Sequence, residues 1–245
     1  MVKPSVKIGD IFTTKMNGIC SVVEYINARH VLVLFEEHPC VVKCTVGCLR
    51  LGKVRNPMRP SAYNKGYLGV GKYDGTHKDV YSIWITMLAR CYSMVNSRVK
   101  INDSIVCDEW LNFQNFAEWC YKQSFFGFKD EKGKTYHLDK DILVNGNRVY
   151  SPNTCCFVPN EINILFRRPK PKPLPEGVSF SKTNNKLQAQ IKIGNKTISL
   201  GFYDNVEDAE MAYKNAKRIK FKNIAEFWKD KIPVEVYARL ITYET

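Results

Sequence analysis

Prolines occupy alternate positions at Pro169, Pro171, Pro173 and Pro175, interleaved with Lys170, Lys172 and Leu174 directly after Arg167 and Arg168. Each proline fixes its own φ and lacks an N–H, so neither a helix nor an internal strand can pass through this stretch. An extended, semi-rigid spacer is expected over 169–176. Its cations suit nearby phosphates, which makes Lys170 and Lys172 candidate phosphate contacts. Any fold of this chain is therefore built in pieces on either side of the spacer, and no tandem repeat relates them.

The piece before the spacer changes character along its length. To about residue 75, short β-rich runs such as Asp10-Ile-Phe-Thr-Thr, Cys20-Ser-Val-Val-Glu-Tyr and His30-Val-Leu-Val-Leu-Phe alternate with turn residues, which predicts a small twisted sheet or barrel. A basic, turn-rich tail with Lys53, Arg55, Arg59 and Lys65 follows. It is either a solvated linker or a segment that follows a nucleic-acid backbone. From residue 78 the period becomes helical, with Tyr81, Trp84, Ile85 and Leu88 on one face. Trp110, Phe113, Phe116 and Trp119 form a second apolar series, read as core rather than as base-stacking platforms. A strand over 136–142, a turn at Asn145-Gly146-Asn147, a second strand and a helix from about Asn160 complete this region.

After the spacer, Leu187, Ala189, Ile191 and Ile193 alternate with Lys186, Gln188, Gln190 and Lys192. Period two places the first set on one side of a strand and the second set on the other. Flanking runs at 177–182 and 196–202 supply neighbouring strands, with turns at Asn184-Asn185 and Gly194-Asn195. Asp204 precedes an acidic first helical turn at Glu207 and Asp208, and Ala209, Ala212, Tyr213 and Ala216 form a stripe that packs close on a sheet. The apolar side of the strand is thereby covered. The Lys/Gln side either meets phosphates and base edges or merely keeps an exposed sheet soluble.

The chain carries 37 Lys and Arg against 24 Asp and Glu, a formal charge of +13. This gives a salt-sensitive attraction to phosphates whatever the sequence. No apolar run approaches a membrane span, and the N-terminus lacks the apolar stretch of a signal peptide, so a cytoplasmic protein without a membrane partner is expected. Nine scattered cysteines read as reduced thiols. Cys40, Cys44 and Cys48 recur every four residues, but no matching pair stands at finger spacing, so structural zinc is not expected. Cys155 and Cys156 are expected on opposite faces of a strand.

Gly177-Val178, Ala189-Gln-Ile-Lys192, Leu200-Gly-Phe202 and Glu207-Asp-Ala-Glu-Met-Ala-Tyr213 resemble the Apetala-type (ethylene-response-factor) DNA-binding domain. That resemblance implies a sheet laid in the major groove with a helix behind it. It also implies contacts from Ser179, Lys182, Lys186, Gln188, Gln190 and Lys192. Several strand arginines and tryptophans of that family are replaced here by Ser179, Asn184 and Leu187, so its base preference does not carry over.

The residues Trp84-Ile-Thr-Met-Leu-Ala-Arg-Cys-Tyr92, Val106-Cys-Asp-Glu-Trp-Leu-Asn-Phe113, Leu138-Asp-Lys-Asp141 and Tyr150-Ser-Pro-Asn-Thr-Cys155 resemble a divergent group of HNH (His-Me finger) endonucleases of phages and bacteria. Members of that group are linked to Apetala-type domains in homing-type nucleases. The two resemblances imply an α+β protein: an N-terminal small β-barrel-like domain over 1–75 and a central ββα-metal domain with flanking helices over 76–168. The spacer 169–176 then leads to a C-terminal three-stranded antiparallel sheet plus helix over 177–218 and a helical extension over 219–245. The implied activity is metal-dependent DNA hydrolysis on double-stranded DNA, with Mg2+ or Mn2+ held by oxygen donors.

Along an expected strand over 136–142, His137, Asp139 and Asp141 share one face. Asp139 and Asn163 are the metal candidates, His137 or Asp141 activates water, and Asn153 pins the loop. The histidine that usually follows the aspartate is Lys140 here, so a DNA-binding protein on a catalytically silent HNH scaffold, such as a phage regulator, is the alternative. RNA binding by the N-terminal β region is a weaker third reading, because no RNP-like aromatic motif is present. The oligomeric state is not legible.

Overall fold

A computed structural model describes residues 5–93, 103–166 and 173–243. The fold is mixed α+β, with several sheets and seven α-helices among the described residues. The chain divides into two compact units, Met1–Tyr121 and Lys122–Thr245. That division falls inside the stretch 76–168, and the residues on both sides of the proline spacer belong to the second unit.

In the first unit, β1 (Ile11–Thr13), β2 (Ile19–Asn27), β3 (His30–Phe35) and β4 (Cys40–Cys44) form an antiparallel meander in chain order. Cys20, Val22, Val31, Val33 and Phe35 line its inner side and are capped by Leu49 of α1 (Val46–Arg50) and by Val54. The barrel-like expectation is corrected here. β1 and β4 are the two free edges of an open sheet, since four short strands cannot supply the tilt and circumference that closure needs.

The basic tail is not a solvated linker. Val54 and Asn56 are buried, and the Asn56 amide donates to the carbonyls of Glu37 and His38 at 3.0 Å each. Further on, the Tyr67 N–H reaches Leu111 O at 2.9 Å. α2 (Lys78–Tyr92), β5 (Ile105–Val106), α3 (Asp108–Leu111) and α4 (Phe113–Lys122) follow. Trp84, Trp110, Phe113 and Phe116 are fully buried, and the Trp84 indole N–H donates to Trp110 O at 2.8 Å. Of the expected aromatic series, Trp110, Phe113 and Phe116 are core, and Trp119 is half-buried against Trp110, with ring centroids 4.6 Å apart.

The second unit starts with β6 (His137–Asp139), β7 (Val149–Tyr150), β8 (Cys156–Val158) and α5 (Asn160–Leu165), with β6 and β8 antiparallel. β9 (Val178–Ser181), β10 (Lys186–Ile193) and β11 (Lys196–Tyr203) form a three-stranded sheet with β10 central. α6 (Val206–Trp228) crosses its back, followed by a 3-10 turn at Lys229–Lys231 and α7 (Val234–Ile241).

Val178, Ala189 and Ala209 are the buried centre of the sheet–helix contact, with Leu187, Leu200, Tyr203 and Ala212 around them. The small alanines bring the α6 axis close to β10. The N-cap of α6 is Asn205, whose side-chain oxygen accepts the Asp208 N–H at 2.8 Å. The boundary expected near residue 218 is absent, because α6 runs on without a break to Trp228.

Beyond the sheet the helix changes partners. Phe221 stacks on Tyr243 at 3.8 Å, and the Trp228 indole donates to Glu161 Oε2 at 3.0 Å. Trp228 also packs edge-on to Tyr136 at 6.2 Å, and Tyr136 Oη donates to Lys231 O. Burying Phe221 and Trp228 contributes about 2–3 kcal/mol each and favours continuation of the helix past the sheet. No helix among the described residues is long and apolar enough to cross a membrane.

Candidate functional site

Register decides which side chains share the uncovered side of the C-terminal sheet. Gln188 lies opposite Ser179 on β9 and Phe202 on β11, Gln190 lies opposite Ser199, Lys186 opposite Ser181 and Lys192 opposite Thr197. Directly paired residues point to the same side, and Leu187, Ala189 and Ile191 point to the helix. Ser179, Lys186, Gln188, Gln190 and Lys192 are therefore brought together on the open face.

Lys182 is exposed in the turn beyond β9 rather than on the face. Lys170 and Lys172 lie outside the described residues. Ile193 departs from the expected pattern. At the end of β10, next to the turn into β11, it is 47% exposed.

Pairing slips between Ala189 and Gln190, with one extra residue on β11. This bulge sits at Leu200 and Gly201 and has a consequence for side-chain direction. Unbroken alternation would turn Phe202 away from Ser199; the bulge puts both on the open face, and Leu200 goes into the helix contact. Phe202 is thus an exposed aromatic, 44% accessible, beside two glutamines. Sequence reading missed it. The one signal was a glycine, Gly201, inside a strand pattern.

The face is polar and basic. Residues 177–203 contain Lys182, Lys186, Lys192 and Lys196 and no Asp or Glu. The Gln188 amide donates to Ser199 Oγ at 3.2 Å, which fixes its orientation across the strands. Lys186 Nζ reaches Asp204 at 3.1 Å, and both groups are well exposed.

Behind the sheet, the Lys220 ammonium donates to Lys192 O at 2.8 Å, and burial holds its pKa below the ordinary lysine value. Lys217 pairs with Glu176 at 2.7 Å. Gly177 has φ +77°, and a Cβ there would lie 2.0 Å from Tyr213 Cδ2, so the ring of Tyr213 closes directly over the start of β9.

The region expected to hold a metal is built differently. β6 ends at Asp139, so the period-two argument does not extend to Asp141, and the trio His137, Asp139 and Asp141 does not share one strand face. Asp139 is buried, and its Oδ1 accepts the N–H groups of Asp141 at 2.7 Å and Ile142 at 2.9 Å. Burial pushes its carboxyl pKa up, against the lowering effect of those two N–H groups.

Lys140 is also buried. Its ammonium donates to Asp141 Oδ1 at 2.7 Å and to Asn147 O at 3.1 Å, while the Asn147 amide donates to Lys140 O and Val149 O at 2.7 Å each. The loop is therefore pinned by Asn147, and by Thr154 through Val149 O at 2.8 Å. Asn153, expected in that role, is exposed. His137 is exposed at the start of β6, Asn160 opens α5, and Asn163 is half-buried on it.

Among the described residues no group of three or more His, Cys, Asp and Glu is placed to hold a metal ion. Asp139 spends one oxygen on its own turn, and Asp141 faces Lys140. A divalent ion here would rest on one carboxylate, Asp139, and on an amide such as Asn163, with water completing its shell.

The cysteines are thiols rather than disulfides. Cys40 and Cys44 end β4 and Cys48 lies in α1. Burial, followed by the neighbouring Cys20 and Cys48, pushes the Cys44 thiol up to about 11. Cys155 and Cys156 are both buried; β8 begins only at Cys156, so the opposite-face expectation does not apply to the pair. Compared with known proteins, the chain matches no family model, no curated protein and no solved structure.

Proposed function

We propose that this protein binds double-stranded DNA through the open face of the β9–β10–β11 sheet, with the β6–β8–α5 region serving as a scaffold for that module. One observation carries the reading. The sheet presents Ser179, Lys186, Gln188, Gln190 and Lys192 on a side that α6 leaves uncovered, on strands and turns free of acidic residues. Amide and ammonium groups of this kind serve both base edges and phosphates, and the overall charge of +13 strengthens the attraction. The resemblance to the Apetala-type domain supports the same reading.

Reversing Lys182, Lys186 and Lys192 to Glu tests it by fluorescence anisotropy with a labelled duplex. Binding weakens, and the slope of log K against log salt drops by about 0.9 for each phosphate no longer neutralised. Unchanged affinity removes the sheet face from the interface. Equal affinity for duplex RNA and duplex DNA would favour a purely electrostatic surface instead.

The rival reading is a metal-dependent, homing-type endonuclease. It draws support from the resemblance and from the packing of α5, which carries Asn163, against β6, which carries Asp139. Supercoiled plasmid with Mg2+ or Mn2+ separates the two. Asp139→Asn is the informative variant, because an amide oxygen still accepts the N–H groups of Asp141 and Ile142. Nicking by the wild type that vanishes in Asp139→Asn establishes the enzyme; binding without nicking establishes the scaffold.

A further inference from the structure

The open face is graded in what it can hydrogen-bond. Residues 177–203 contain no Arg, Asp or Glu, so two partners that read G·C pairs are missing: the arginine fork for guanine and the carboxylate for the cytosine amino group. Lysine is the other guanine partner, but here lysines stand at the margins. Lys182 is in a turn, Lys186 opens β10 and is held by Asp204, and Lys192 and Lys196 flank the turn between β10 and β11. The centre is made of Gln188, Gln190 and, directly across from Gln188, Phe202.

Each of these central groups has one natural complement in a duplex. A glutamine amide offers one donor edge and one acceptor, matching N7 and the N6 amino group of adenine. The exposed ring of Phe202 adds nothing to the packing behind the sheet, because the bulge turns it away from α6. It offers a flat apolar surface of the kind that meets the thymine 5-methyl group.

Groove choice follows from width. Three strands spaced about 4.8 Å apart make a layer roughly 10 Å across, which enters a major groove about 12 Å wide and not a minor groove about 6 Å wide. The thymine methyl is exposed only in the former.

We propose that this face recognises A·T base pairs in the major groove, with Gln188 and Gln190 bonded to adenine and Phe202 resting on a thymine methyl. The proposal rests on the DNA-binding reading above and adds the class of sequence it selects.

The full-length protein is used to select from a pool of random duplexes, and the recovered sequences are then chemically edited. Enrichment of a core with adjacent A·T pairs is expected. Replacing its thymines one at a time by deoxyuridine removes single methyl groups and weakens wild-type binding about fourfold at the contacted position. Phe202→Ala binds the thymine and deoxyuridine duplexes equally. Replacing the contacted adenine by 7-deazaadenine lowers affinity about fivefold or more for the wild type, and has no effect on the corresponding Gln188→Ala or Gln190→Ala protein.

The wild-type comparisons rest on edits made in the DNA alone, so they do not depend on how the variants fold. A G·C core, or methyl removal without effect at every thymine, overturns the A·T assignment and leaves DNA binding standing. Failure to retain any duplex overturns both.

Discussion

Alanine at Gly177 tests whether the Tyr213 ring fixes the start of the reading sheet. Gly177 has φ +77°, and an added Cβ would meet Tyr213 Cδ2 and Cε2 at 2.0 and 2.2 Å, far inside van der Waals contact. Two costs add. Holding alanine in the left-handed region costs about 1–2 kcal/mol, and driving the half-buried Tyr213 ring off β9 forfeits roughly 1–2 kcal/mol of apolar burial. Together the sheet loses about 2–4 kcal/mol of protection against local opening.

Hydrogen exchange read by mass spectrometry on the full chain reports this directly. Amides of β9 and β10 in Gly177→Ala exchange roughly 30-fold faster or more, while amides of β2 and β3 in the other unit are unchanged. Adding Tyr213→Ala to Gly177→Ala costs less than Tyr213→Ala alone, because the clash is already relieved. Exchange in Gly177→Ala that matches the wild type would refute the reasoning.

Three other expectations follow from the same geometry. Gln114 donates to Leu68 O at 2.8 Å and Tyr73 O at 2.7 Å and accepts the Tyr73 N–H at 3.0 Å; Gln114→Ala destabilises this segment by about 2–3 kcal/mol. Limited proteolysis between residues 66 and 73 rises accordingly, and Gln114→Glu does not rescue it because a carboxylate cannot donate. Lys217 is 15% exposed and pairs with Glu176 at 2.7 Å, so Glu176→Gln lowers stability in urea by roughly 1.5 kcal/mol. Cys44 is raised from its ordinary 9.0 to about 11, so the unfolded chain ionises there before the folded one. Its effect on stability is flat below pH 9.0 and becomes destabilising as pH rises towards 11. A urea midpoint followed over that range falls less steeply in Cys44→Ala, and iodoacetamide at pH 8 labels the exposed Cys48 before Cys44.

Local pattern was enough where one face of an element is buried. The alternation through Leu187, Ala189 and Ile191 located β10 and its open side, and the spacing of Trp110, Phe113 and Phe116 located a core. It was not enough where a short-range competition set the geometry. Asp139 has the alternation of a strand residue, but its carboxylate captures the N–H groups of Asp141 and Ile142 and turns the chain out of the strand there. Lys140 stands where the resemblance leads one to expect a histidine, and it is a buried cation tied to Asp141 and to the Asn147 carbonyl. Phe202 was hidden because a single extra residue in β11 reverses its side. The boundary expected at residue 218 falls where the buried stripe of α6 changes from alanines to Phe221, Ala225 and Trp228 as its partners change.

The unbroken course of α6 makes it a ruler. Its 23 residues span about 34 Å, with the β9–β11 layer clamped at the amino-terminal end and Tyr136 and Glu161 at the other. A helix advances about 100° per residue, so deleting one residue between Ala216 and Phe221 would twist the two ends out of phase, while removing a near-integral pair of turns would shorten the arm by about 10 Å and keep its facing. Homologous chains that differ in length should therefore vary in turns such as Lys182–Asn185, and hold this helix to a fixed count.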